Sequence, residues 1–219
     1  MNKLYTAFLG LVGRINDEAL KVFDDALTYI LRYLSIDGMD TPWLHDEKDN
    51  QAFADFMATY FAYQQEQVAT KFWFDAWGDM FMELSGKFKS FRGQFFTPAA
   101  VADLCAKMSV PQHQGDRPVI NDCACGSARM LLAADQLAFE KGSTQPYLIG
   151  EDIDGMCCKM AAVNMAVHGC LGEVVRHDSL RHPDELSYGY IINETLQAGL
   201  SFPSIRRSED KSDFKKFQL

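Results

Sequence analysis

Between residues 16 and 35 the apolar positions Leu20, Phe23, Leu27, Ile30 and Leu34 recur three and four apart, the spacing of one helical face. Asn16 and Asp17 supply cap and amino-terminal acid, and Asp37-Gly38 supplies the stop. A second helix is expected from Asp49 or Asn50, with Phe53, Phe56, Met57, Tyr60 and Phe61 on one side. A third is expected from about Glu66 to Leu84, burying Trp73, Ala76, Trp77, Met80, Phe81 and Leu84. An aromatic stripe at helical spacing reads as core rather than as a platform for stacking bases.

Farther on the period changes. Thr97 and Pro98 open a helix with Val101, Leu104, Cys105 and Met108 on one face. Residues 119–122 form a short apolar run ending in Asp122, followed by a Gly-Ser turn and a helix over 129–140. Strands are expected at 147–152, 173–178 and 188–193, with a helix over 156–168 closed by Gly169. Strands alternating with helices predict a parallel sheet wound in the right-handed sense. Asp122, Asp152 and Asp178 each end a predicted strand, and ligands of such sheets collect outside the carboxyl ends of the strands. Converging carboxylates suit the hydroxyls and amines of a nucleoside rather than a phosphate. The expected division is a helical unit over 1–92 and an α/β unit over 93–219, with the tail after 193 left open; Pro203, Arg206 and Arg207 make that tail a poor source of strands.

At 219 residues and 47% hydrophobic content the chain can bury a core. It lacks a run of the roughly 20 apolar residues that span a bilayer and a basic leader with an apolar core, so no membrane partner and a cytoplasmic setting are expected. The net charge of −9 excludes a uniformly basic surface. The sign is uneven: ten acids stand against three bases from residue 16 to 55, whereas Lys87, Lys89 and Arg92 alternate with Phe88 and Phe91, a local patch suited to DNA. Cys105, Cys123, Cys125, Cys157, Cys158 and Cys170 lie mostly in apolar elements and read as reduced thiols. Their spacing is not that of a zinc site, so no metal is assigned; His177 is also left unassigned.

Five stretches carry a resemblance: Gly93-Gln94-Phe95-Phe96-Thr97-Pro98, Asp122-Cys123-Ala124-Cys125-Gly126-Ser127-Ala128, Gly150-Glu151-Asp152-Ile153-Asp154, Asn164-Met165-Ala166-Val167-His168-Gly169 and His177-Asp178-Ser179-Leu180. In order and spacing they resemble the S-adenosylmethionine-dependent adenine-N6 DNA methyltransferases of type I restriction-modification systems. That likeness implies a Rossmann-like class I methyltransferase fold, an α/β parallel sheet shortened here and preceded by an all-α domain. It also implies S-adenosyl-L-methionine as cofactor, with Gln94, Phe95, Phe96, Thr97 and Pro98 lining its methionine end. Asp122 with Cys125, Gly126 and Ser127 would hold the amino-acid portion, and Asp152 would take the ribose hydroxyls. Ile153 would pack on the adenine ring, Asp178 would accept from its amino group, and Leu180 would cover the other ring face.

The family has Pro where Cys123 stands, Gly where Ala128 stands, and Asn-Pro-Pro-Phe where this chain reads Asn193-Glu194-Thr195-Leu196. Asn193 is the catalytic candidate by position, without the prolines and the aromatic that stack a flipped base. The implied function is adenine-N6 methylation of DNA with a specificity or other partner subunit. The alternative is a catalytically inactive methyltransferase fold serving as a binding or regulatory module.

Overall fold

The structure is a computed structural model, and it describes residues 3–38, 46–71, 73–85, 96–110 and 115–218. Among the described residues four helices come first: α1 (Lys3–Ile15), α2 (Ala19–Leu34), α3 (Glu47–Val68) and α4 (Ala76–Ser85). The expected helices start only at residue 16; α1 is an addition, with a buried stripe of Leu4, Tyr5, Phe8 and Leu11 among the poor helix formers Gly10 and Gly13. The helix expected from Glu66 to Leu84 is two pieces. The α3 helix ends at Val68, and α4 begins afresh because the Asp75 carboxylate accepts the Gly78 N–H at 2.7 Å and caps it. A Cβ on Gly78 would stand 2.0 Å from that carboxylate, so capping and glycine belong together.

Trp77 is the centre of the helical layer. Its ring lies 5.2 Å from Phe23, 5.3 Å from Tyr60 and 6.1 Å from Phe56, in tilted or edge-on pairings that suit aromatic quadrupoles. This core continues into the α/β part through α7 (Gly155–Val167), where Met160, Val163 and Met165 are buried in the same cluster. Lys159 of α7 also reaches Asp24 at 2.7 Å and the Thr28 hydroxyl at 2.9 Å on α2.

Among the described residues the other α-helices and strands are α5 (Ala99–Ser109), β1 (Val119–Asp122), α6 (Arg129–Glu140), β2 (Tyr147–Asp152), β3 (Leu171–Arg176), β4 (Tyr188–Ile192), α8 (Glu194–Gln197) and β5 (Ile205–Ser208), followed by two short 3-10 turns at Lys211–Asp213 and Lys215–Phe217. The strands form one five-stranded sheet in the order β1-β2-β3-β4-β5. The first three strands are parallel, with Asp122 opposite Gly150 and Asp152 opposite Arg176. The expectation of a wholly parallel sheet fails at β4, which runs antiparallel to β3, and at β5, antiparallel to β4. Residues 177–187 contain no helix, and without a crossover the chain turns straight back along its neighbour. The tail supplies a strand after all: Ile205 is fully buried, and its carbonyl accepts the Ile36 N–H.

Successive strand residues face opposite ways, so Val174 joins the core under α7 while Val175 and Ile191 face the other side, covered by Phe214. On that second side Glu173 accepts the Tyr147 hydroxyl at 2.8 Å and the main-chain N–H groups of Lys215 and Lys216 at 2.9 and 2.6 Å. All six cysteines are free. Among the described residues no helix is long and apolar enough to cross a membrane.

His168 closes α7 as a neutral imidazole. Its Nε2 accepts the Phe74 N–H and the Gln64 amide, both at 3.1 Å, and its Nδ1 donates to the Asn164 carbonyl at 2.7 Å. Burial lowers its pKa below the ordinary 6.5. The unfolded chain therefore takes up this proton first, and the stability associated with neutral His168 is complete above pH 6.5 and lost as pH falls towards the folded pKa. Urea unfolding is expected to show this loss as a lower midpoint at pH 5.5 than at pH 8. His168→Gln should be less stable at pH 8 yet lose less on acidification.

Candidate functional site

The carboxyl ends of β1, β2 and β3 lie side by side, and their loops are tied together by hydrogen bonds. Asp122 accepts the Ala124 N–H at 3.1 Å, starting the turn after β1. The Cys125 N–H donates to the Glu151 carbonyl at 2.9 Å, and the Gly126 N–H donates to Asp152 Oδ2 at 2.9 Å. The other Asp152 oxygen accepts the Asp154 N–H at 2.9 Å. Ser179 crosses from the loop after β3 to the Cys123 carbonyl at 3.2 Å. Gly126 (φ +54°) and Ala128 (φ +73°) both take the left-handed conformation that swings the chain into α6. At Ala128 this costs about 1 kcal/mol, which burial of its methyl partly offsets.

Burial raises the pKa of Asp152, against the N–H groups of Asp154 and Gly126 that favour its charged form. Asp122 is raised likewise, first by burial and further by the charges of Asp152 and Glu151. Two neighbouring carboxylates give this end of the sheet a field that favours a cation. Asp178 differs: it accepts the N–H groups of Leu180 and Arg181 at 3.1 and 3.0 Å, and the Arg181 bond leads the effects holding it below the usual carboxylate range. Ile153 and Leu180 are 63% and 92% exposed, apolar side chains at the rims of neighbouring strand ends.

Not every expected side chain faces this crevice. The Phe96 ring lies over Gly126, where an added Cβ would meet it at 3.0 Å, and the Arg129 guanidinium is 5.8 Å from its centre. Thr97 offers its carbonyl to Arg129 at 3.2 Å, and Pro98 occupies the cap position of α5 rather than its first turn. Cys125 and Ser127 are buried, so at the crevice they have main-chain groups only; burial also pushes the Cys125 thiol well up, leaving it inert. Gln94, Phe95, Lys87, Lys89 and Arg92 lie outside the described residues.

Asn193 requires a correction. Because β4 is antiparallel, its carboxyl end lies at the opposite end of the sheet from Asp122 and Asp152. There Asn193 is fully buried, its amide donating to the carbonyls of Ala166 and Cys170 at 3.1 and 2.7 Å while its oxygen accepts the Ser204 N–H at 2.9 Å. It is a structural tie, with no group left for a substrate.

Two buried clusters went unread in the sequence. Glu151 is paired with His177 and Lys216 and accepts the Asn121 amide at 2.7 Å. Burial would raise its carboxyl, but the Asn121, Lys216 and His177 bonds hold it below the usual value. An acid at an inward strand position was the available signal. The second cluster gathers on Asp75, which accepts the Ser127 hydroxyl and Arg129 Nε, both at 2.5 Å, and the Asn164 amide at 2.7 Å. Arg129 also reaches Asp79 at 2.6 Å, on the wall of a cavity of about 410 Å³ between α5 and α6 that Asp122, Asp152 and Asp178 do not line.

Residues 74–195 match the family described as N-6 DNA Methylase. No curated protein matches. Of solved structures, a class I S-adenosylmethionine-dependent methyltransferase from Listeria monocytogenes aligns with a TM-score of 0.54 and 16% identity, over 81% of this chain and 53% of that one. A type I restriction-modification system methyltransferase subunit from Streptococcus thermophilus aligns with a TM-score of 0.43 and 23% identity, over 82% and 42%. The chain thus spans about half the length of the structures it matches. The fold is α/β and Rossmann-like, of the class I methyltransferase kind with a shortened sheet.

Proposed function

The chain belongs to the N-6 DNA methylase family, and we propose that it is the cofactor-holding part of an adenine-N6 DNA methyltransferase, binding S-adenosyl-L-methionine at the carboxyl ends of β1, β2 and β3. The observation that carries this reading is the clasp of the Gly126 N–H by Asp152 beside Asp122, flanked by exposed Ile153 and Leu180. Each Asp152 oxygen accepts one main-chain hydrogen and keeps a lone pair for a ribose hydroxyl. The paired acids favour a cationic sulfonium. Ile153 and Leu180 suit the two faces of a planar base, and Asp178 can accept from its amino group. The cofactor, when bound, supplies an electrophilic methyl group.

The acceptor side of the reaction is not furnished by these residues. An adenine amino nitrogen is a poor nucleophile, its lone pair delocalised into the ring, so transfer needs hydrogen-bond acceptors that localise it in line with the methyl. Asn193 is engaged elsewhere. A partner subunit therefore completes the site, and Lys87, Lys89 and Arg92 serve local contact with DNA. The placement of Asn193 equally favours a second reading, a methyltransferase fold that binds cofactor without transferring its methyl.

Calorimetric titration of S-adenosylmethionine is expected to give one site per chain. Asp152→Asn should weaken it by about tenfold or more, since hydrogen bonds to a charged acceptor contribute about 1.5–3 kcal/mol. Binding that is absent, or that Asp152→Asn leaves unchanged, overturns the assignment. Labelled methyl transfer to DNA that appears only with a partner subunit supports the first reading, and binding without transfer under any pairing supports the second.

A further inference from the structure

We infer that Asp75 is the positioning residue for the cofactor turn: a carboxylate from the connection between α3 and α4 that fixes Ser127 and Arg129 from behind. This rests on the reading of the turn after β1 as the cofactor seat. Asp75 is 3% exposed and receives four donors. Oδ1 accepts the Gly78 N–H and the Asn164 amide, each at 2.7 Å, while Oδ2 accepts the Ser127 hydroxyl and Arg129 Nε, each at 2.5 Å. Asn164 closes the loop by also donating to the Ser127 carbonyl at 2.9 Å. The turn is thus held from two directions, by Asp152 on the crevice side and by Asp75 on the buried side.

The chemistry of the turn makes such support necessary. With Ala128 rather than glycine in the left-handed conformation, residues 125–128 hold a strained geometry that the surrounding bonds must impose. The Cys125 N–H is already taken by the Glu151 carbonyl, so what the buried Ser127 presents to a ligand is its main chain, whose direction depends on how Ser127 is anchored. Arg129 pairs with this carboxylate and bridges it to Asp79 and the Thr97 carbonyl, so one guanidinium also ties the start of α6 to the approach to α5. A site whose supporting bonds are missing has to be ordered at binding, which costs affinity rather than fold.

The test compares the native protein with Asp75→Asn, which keeps shape but presents a donor to Arg129, and with Ser127→Ala, which removes one bond and leaves the ion pair intact. Calorimetric affinity for S-adenosylmethionine and hydrogen exchange at the amides of Cys125, Gly126 and Ala128 are read on each, above a common check of cooperative unfolding. Both variants are expected to lose about tenfold in affinity and to exchange faster at these amides, with the effects non-additive in the double variant. If Asp75→Asn does not fold, Ser127→Ala alone decides. If the native protein does not bind the cofactor, the seat assignment fails, and faster exchange confined to the turn still supports positioning by Asp75. Unchanged exchange with unchanged affinity overturns it.

Discussion

Trp77→Ala is expected to destabilise the protein by about 3–5 kcal/mol, the range for deleting a large aromatic from a closed core. Total stabilities run to roughly 5–15 kcal/mol, so this one change removes a large share. Trp77 is fully buried among Phe23, Phe56 and Tyr60, which come from α2 and α3, while its own α4 starts from the Asp75 cap. None of those rings can collapse into the gap without abandoning its other partners. Urea unfolding followed by far-ultraviolet circular dichroism should show a much lower midpoint, with Trp77→Phe falling between the variant and the native protein. A loss below about 1 kcal/mol would mean that the core refills the space, contrary to its dense packing.

Arg129→Met is expected to cost a similar amount by a different route. Methionine replaces the apolar stem but leaves Asp75 buried without its cation, and breaking a buried pair from one side typically costs about 3–5 kcal/mol. Asp79 loses its partner as well, though its side chain is half exposed and water compensates. The diagnostic is non-additivity: Asp75→Asn introduced into Arg129→Met should recover part of the loss, because the orphaned charge has gone. Thermal unfolding of the four proteins in the cycle checks this, and additive losses would show that the pair does not act as a unit.

Much of the fold was legible where local rules decide. The Asp154 side chain caps α7 by accepting the Met156 and Cys157 N–H groups at 2.7 and 3.3 Å, and the capping acid before an apolar helix is visible in the sequence. The strands at Val119, Tyr147 and Tyr188 begin where apolar runs begin. Strand direction was not legible, because a run such as Tyr188–Ile192 has the same pattern whichever way it lies. The outcome turned on residues 177–187 lacking a helix, and Asn193 was carried away from the crevice with it. Family likeness could locate Asn193 in the motif order but not in space. Asp75 escaped notice for another reason: its partners Ser127, Arg129 and Asn164 lie far along the chain, and nothing near residue 75 announces them.

The covering of the second side of the sheet bears on how the chain is made. Phe214 fills the slot over Gly189, where a Cβ would come within 2.5 Å of the ring, and the N–H groups of Lys215 and Lys216 satisfy Glu173. During translation this side cannot close until residues 214–217 have left the ribosomal exit tunnel. Until then Val175, Ile191, Glu173 and Glu151 face solvent on a nascent sheet, so a segment made after β5 sets the moment at which this side of the sheet is sealed.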